Sequence, residues 1–518
     1  MTEQDVLNTA VKFCEKNKRF PTMIELAELG VSRAKIRQEF GNLGTLLRRV
    51  AGATKSVFDL NLTPPRFENP SVSKKRFIIS TAVTGAEVDK KFFASISTYC
   101  KKLDAQLLVL VSHNTKSGLG TPIDPLLRDS VIVTTDCPLN NNVFLLGIKN
   151  AAKSSDPITG LPRIGKRNGT FIAASPKQRL RMVPTGQHRL PHALMSTGAL
   201  TKPSYISDVK FINKNDYLAD ADHVIGALVV EIEDAETFHF RQIQADKHGG
   251  FVDLGLYVRG NSVSKMAPEA LVLGDWHSGE TDPVAAKCWE DVSDALKVKR
   301  WIIHDGFSGE SVNHHNEGKL TVLAKQAEAG KLSLLAELTE YSEDLLKMLT
   351  KRDVVVVKSN HDEFLDRYLE GGRYVEHPYN HRLSLELAAA YLDGGNPVKH
   401  FFDKFSKKKP KHKITWLKRD ESYKLANIEL GAHGDKGANG ARGSAASMEN
   451  AYGPSISGHT HSPAINRDTW VVGTTSLLQL SYNVGPSSWF HTSCLVYPNG
   501  NRQLINSIDG KCTTRKLT

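Results

Sequence analysis

The sequence predicts an α/β protein with a small helical module at its start. Two observations carry that expectation. The runs Ala270-Leu-Val-Leu273, Trp301-Ile-Ile303 and Val354-Val-Val-Val357 are apolar at consecutive positions, as strands buried on both faces of a sheet are. Residues 4–50 instead carry apolar residues at helical spacing.

In chain order, residues 1–56 form the helical module. Val6-Leu7, Ala10-Val11 and Phe13-Cys14 recur on one helical face, and Pro21-Thr22 opens a second helix over Met23 to Leu29. Gly30 makes a turn, and Ser32 is a suitable N-cap for a third helix from Arg33 to Phe40. Helix, glycine turn and a short helix bearing Arg33, Lys35 and Arg37 resemble a helix-turn-helix with a basic recognition helix. The module has ten Lys and Arg against six Asp and Glu, so DNA contact is expected of it. Small helical bundles also serve to join copies of a chain, which leaves a homo-oligomer open.

Residues 57–74 are Pro-rich and polar and predict a linker. Residues 75–265 open as a β-α-β unit, with strands at Arg76–Thr84 and Gln106–Val111 around a helix at Glu87–Leu103. Short β-rich runs follow, such as Thr170-Phe-Ile-Ala173, separated by basic turns such as Arg163-Ile-Gly-Lys-Arg167. No motif assigns this accessory domain a role beyond positioning or assembly.

The chemistry lies in residues 266–518. Five fragments stand out: Gly-Asp-Trp-His at 274–277, His-Asp-Gly at 304–306, Ser-Asn-His-Asp at 359–362, Ala-His-Gly-Asp at 432–435 and Gly-His-Thr-His at 458–461. The first three each follow a predicted strand, and strand ends are where an α/β sheet places its reactive loops. Asp, His and Asn together make the mixed hard and borderline ligand set that holds divalent metals and leaves positions for water. A lone Asp or His at a strand end is usually a cap or a surface group; five fragments in order reverse that expectation.

The order and spelling of these fragments resemble the calcineurin-like metallophosphoesterase family over roughly residues 268–500. The resemblance implies a β-sandwich flanked by helices for this domain, and it assigns roles by position. Asp275, His277 and His461 would bind one metal, Asn360, His433 and His459 the second, with Asp305 bridging both. A hydroxide between the ions would attack a phosphodiester. His361 would give a proton to the leaving oxygen, with Asp362 orienting its ring. The sequence departs from the family pattern at His304, which stands where a glycine is usual before the bridging Asp. The whole arrangement is also similar to phage-encoded phosphoesterases that degrade DNA. Of the flanking residues, Asp435 is expected to be a turn residue. His314 and His315 are expected either to contact a phosphate or to sit in a solvated loop.

Composition narrows the class. The 518 residues carry a formal charge of +11, 40% hydrophobic and 24% charged residues, which suits a soluble protein of more than one domain. The start lacks the pattern of a signal peptide and no apolar run is long enough to span a membrane, so a cytoplasmic location is expected, the host's for a phage protein. Six scattered cysteines argue against a disulfide framework. Lys404 to Arg419 contains no acidic residue and reads as a basic insertion near 400–420, its Lys407, Lys408, Lys409, Lys411 and Lys413 offering contacts to a polyanion beside the metal loops. The expectation is a hydrolase with two divalent ions, Mn²⁺ in the first place and Zn²⁺ or iron otherwise, acting as a DNA nuclease. A phosphomonoesterase such as a protein phosphatase is the alternative, and a catalytically silent DNA-binding or assembly protein the third.

Overall fold

A computed structural model describes residues 2–17, 21, 23–40, 43, 45–46, 49–50, 74–114, 123–148, 150–161, 169–205, 214–407, 409–480 and 482–517. The expected linker lies outside these residues save for Lys74, and so does the basic turn at 163–167. The fold is mixed α/β. No helix among the described residues is long and apolar enough to cross a membrane.

The helices at the start are Glu3–Asn17, Met23–Glu28 and Arg33–Phe40. Ser32 caps the third, its hydroxyl accepting from the Lys35 amide at 3.2 Å. Gly30 makes the preceding turn with φ of 82°, a conformation costly for any side chain. Val6, Ala10, Cys14, Leu26, Val31, Ile36 and Phe40 close a small core of their own.

The β-α-β unit forms as the pattern requires. Strands Arg76–Val83 and Gln106–Ser112 pair in parallel, joined by the helix Lys90–Leu103, whose Asp89 N-cap accepts from the Phe92 amide. They sit in a five-stranded sheet with Val131–Val133 on one side and Gly226–Ile232 and Phe238–Gln244 on the other.

A six-stranded sheet carries Ile414–Trp416, Asp353–Val356, Arg300–Ile303 and Ala270–Val272 in parallel, followed by antiparallel Thr492–Val496 and Arg502–Asn506. Strands Ala270–Val272, Arg300–Ile303 and Asp353–Val356 are buried on both faces, as their apolar runs require. Leu271, Trp301 and Val354 pack into a cluster with the helix residues Trp289, Leu338, Tyr341 and Tyr368. Val272, Ile302 and Val355 face the other way, into a cluster with Leu180, Met195, Ile456 and Trp470.

Those last residues belong to a ten-stranded sheet that draws strands from both sides of the expected boundary at 265/266. Strand Ala464–Asn466 pairs antiparallel with Gln178–Val183, so accessory and C-terminal segments share one sheet. The apolar alternation of 178–183 exposes no partner in the sequence, because the pairing spans nearly three hundred residues. A buried charge cluster adds a second tie. Arg241 bonds Glu231 at 2.8 Å and Asp253 at 2.7 Å, and Arg515, Thr513 and Thr514 from the end of the chain complete it.

Candidate metal centre

Three parallel strands deliver the first residues of the site. Beyond the strand ends the backbones stay paired: the Trp276 amide donates to His304, His277 to Asp305 and Ser278 to Gly306, at 2.8–3.0 Å. This ladder lays the 275–278 and 304–306 loops side by side. The ten-stranded sheet supplies the rest, with His433 beyond Ile428–Glu429 and His459 and His461 beyond Ser455–Ser457. The Gly458 amide donates to the His433 carbonyl at 2.8 Å and locks these two loops together.

The side chains then form two groups around one carboxylate. Asp275, His277, Asp305 and His461 converge within metal-ligand reach of one another, as do Asp305, His433 and His459. His461 Nε2 lies 3.1 Å from Asp275 Oδ2 and 3.1 Å from His277 Nε2. His433 Nε2 lies 3.2 Å from Asp305 Oδ2 and 3.0 Å from Asn360 Oδ1, which brings Asn360 into the second group. Two imidazole nitrogens aimed at one another beside carboxylates make poor hydrogen bonds and good ligands. The buried Oδ1 atoms of Asp275 and Asp305 have no hydrogen-bond partner, a costly state that a cation relieves. The donors present therefore fit divalent metal ions. Asp275, His277, Asp305, His433 and His461 are buried, whereas Asn360, His361 and His459 are half-buried and mark the open side.

The backbone is strained where the candidate ligands sit. His277, Asp305, His459 and His461 adopt φ of 48°, 43°, 73° and 55°. Left-handed conformations at non-glycine residues cost about 1–3 kcal/mol each and persist where the surroundings enforce them. Gly458 has no alternative, since a Cβ there would collide with the Asp275 carboxylate and come 3.0 Å from His304 Cβ.

Electrostatics prepare the nitrogens. Burial, with the neighbouring His361 charge, holds His277 down to about 3, and burial with His433 holds His304 to about 4. Both are neutral at neutral pH. Burial would also lower His433, but the Asp305 and Asp275 carboxylates outweigh it and raise the group to about 9. Capture of a cation by His433 thus releases a proton. Burial opposes ionisation of Asp305, yet the His433 and His361 charges hold it well below the usual carboxylate range.

The structure corrects two expectations. Asp362 does not orient His361. Its carboxylate accepts from the Ser359 amide at 2.8 Å and the Ser359 hydroxyl at 3.1 Å, and burial pushes it up to about 6. It pins the loop at the start of helix Asp362–Glu370. His361 is oriented instead by the Ser308 carbonyl, 2.6 Å from its Nδ1, an interaction of backbone that sequence spelling does not reveal.

Nor do the lysines of the basic run lie beside the metal loops, although its last residue, Arg419, ion-pairs there with Asp435. Lys407, Lys409, Lys411 and Lys413 are exposed on the connection from helix Pro397–Phe405 into strand Ile414–Trp416. That strand runs parallel to Asp353–Val356, and Lys413 bonds Asp353 and Val354 at the strand's beginning, whereas Asn360 and His361 follow its end. A chain entering a parallel strand must first return to the far edge of the sheet. Lys408 lies outside the described residues.

The remaining residues fall as follows. Arg33 and Arg37 are exposed on the third helix of the first module, and Lys35 pairs with Glu39 at 2.8 Å. Asp435 is more than a turn residue, being buried and ion-paired with Arg419. His314 and His315 pack their rings on Phe364, which in turn touches the His361 ring. Trp489 and Tyr482 went unnoticed in the sequence. The Trp489 ring meets His461 with centroids 4.1 Å apart. Two aromatics in a Gly-Pro-Ser loop were the available signal.

No protein-family model matches this chain, and no solved structure does. The sequence is 31% identical over 470 residues to Protein A1 of Escherichia phage T5, an alignment covering 84% of this chain and 82% of that protein. Similarity sustained over most of both chains means that the chain belongs to the family of phage T5 Protein A1.

Proposed function

We propose that this chain is a two-metal-dependent phosphodiesterase of the calcineurin-like metallophosphoesterase kind, with DNA as its substrate. The observation that carries the reading is Asp305, a buried carboxylate common to both ligand groups. The layering supports it as well, since helices cover one face of the six-stranded sheet and the ten-stranded sheet covers the other.

Asp275, His277 and His461 would hold one ion, Asn360, His433 and His459 the other, and Asp305 both. Such a pair supplies Lewis acidity at phosphoryl oxygens and lowers the pKa of a water to near neutrality. Nitrogen and oxygen donors without cysteine suit Mn²⁺, which we assign, and also Zn²⁺ or iron. The chain's own chemistry then rests on His361. With Nδ1–H anchored on the Ser308 carbonyl, Nε2 is left for the substrate. In the imidazolium form it hands a proton to the leaving oxygen while the anchor stays in place. The exposed Arg33 and Arg37, with a chain charge of +11, favour a polyanionic substrate. For a phage-encoded protein the place of action is the host cytoplasm.

The test is incubation of the purified chain with Mn²⁺ or EDTA on duplex DNA, single-stranded DNA, RNA and p-nitrophenyl phosphate. Cleavage of DNA in Mn²⁺ and none in EDTA is expected. Hydrolysis of the monoester alone would replace this reading with a phosphomonoesterase.

A further inference from the structure

A row of rings crosses the centre. Centroids step 4.7 Å from His361 to His277, 5.0 Å to His461, 4.1 Å to Trp489 and 5.7 Å to Tyr482. The first three rings belong to the proposed chemistry and the last two do not. Tyr482 is 53% exposed, too open to be explained as core.

Trp489 is also one wall of a cavity of about 180 Å³. Leu190, Pro191 and Leu478 give it further apolar surface, and Arg189, His188 and Ser487 polar edges. At six times the roughly 30 Å³ that liquid water occupies per molecule, it takes one planar heterocycle and no duplex. Residues 187–191 come from the hairpin between strands Gln178–Val183 and His192–Thr197 of the accessory region. The hairpin is fixed to the loop of Trp489 by a two-way backbone bridge, Thr185 to Ser487 at 3.0 Å and Ser487 to Thr185 at 2.8 Å. Arg189 is exposed and its guanidinium forms no ion pair among the described residues.

A slot with an aromatic wall, an exposed arginine in its lining and a candidate metal-ligand imidazole packed against the same tryptophan has a specific use. We infer that it is a subsite for one unpaired nucleobase, held next to the scissile phosphate by way of the Trp489–His461 contact. The base stacks on Trp489, and Arg189 meets a base edge or a neighbouring phosphate. This gives the accessory hairpin a role in substrate choice, and it selects single strands, ends or flipped-out bases over intact duplex. The inference rests on the phosphodiesterase reading for its substrate.

The experiment measures binding without turnover. The full chain in EDTA is titrated into a labelled single-stranded oligonucleotide and into a series in which one abasic residue is walked along it. One position should weaken binding by about 5- to 150-fold when abasic, the 1–3 kcal/mol of one stacked base at tenfold per 1.4 kcal/mol. In Trp489→Ala that positional dependence should vanish, and in Arg189→Ala, a change on the exposed hairpin that spares the core, it should shrink. A flat abasic scan, or one unchanged in both variants, overturns the subsite. Hydrolysis of bis(p-nitrophenyl) phosphate in Mn²⁺ is followed in parallel. A positional loss in binding with no such hydrolysis keeps the pocket and sinks the phosphodiesterase, whereas hydrolysis with a flat scan does the reverse.

Discussion

Replacing His361 by Asn should separate proton transfer from metal binding, because this ring lies beside the two candidate metal-binding groups. Its Nδ1 is engaged by the Ser308 carbonyl at 2.6 Å, and its ring packs on His277 and Phe364. It belongs to neither ligand group. His361→Asn should therefore leave the bound metal unchanged while lowering turnover by roughly 10²–10⁴-fold, the usual loss with a general acid. That corresponds to about 3–5 kcal/mol of barrier. The loss should depend on the leaving group. With an alkoxide it should be full, since the departing oxygen needs a proton. With a nitrophenolate, stable as an anion, most of it should disappear. Steady-state kinetics on the two esters, with metal content measured on the same samples, decides the matter. An equal loss on both substrates, or metal content that collapses, would refute the assignment.

Asp362→Ala should act on stability instead. It strands the buried Ser359 amide and hydroxyl, at about 1–3 kcal/mol, while the leaving-group dependence of turnover is retained; a lower Tm with unchanged leaving-group sensitivity is the expected pair of results. Acid should loosen the tie between the accessory sheet and the end of the chain. Burial would raise Glu231, but the Arg241 charge and the hydrogen bonds from Arg241 and Thr513 hold it at about 2, below its ordinary 4.5. A carboxylate depressed on folding contributes stability that is present above its unfolded pKa and lost as pH falls toward the folded one, here up to about 3 kcal/mol. Urea unfolding should thus weaken between pH 4.5 and 2, and Glu231→Gln should flatten that slope.

The sequence exposed what was local and left hidden what was not. The third helix of the first module was legible from Ser32 and the apolar spacing behind it, and the strand runs before Asp275, Asp305 and Asn360 from their unbroken apolar character. The five fragments were visible as short spellings at strand ends, and the structure brings Asp275, His277, Asp305, His433, His459 and His461 from four of them together. His361's partner was missed because a backbone carbonyl has no spelling, and Asp362 looked suitable only by adjacency. The lysines of the basic run were misplaced because nearness in sequence ignores strand direction. The shared ten-stranded sheet rests on pairings across hundreds of residues, which periodicity cannot register.

The claim on which the rest depends is that two ions share Asp305. Electron paramagnetic resonance of the chain titrated with Mn²⁺ tests it directly. Two ions per chain with an exchange-coupled spectrum are expected, with that coupling lost in Asp305→Asn. A single bound ion, or two ions with uncoupled spectra, would contradict it.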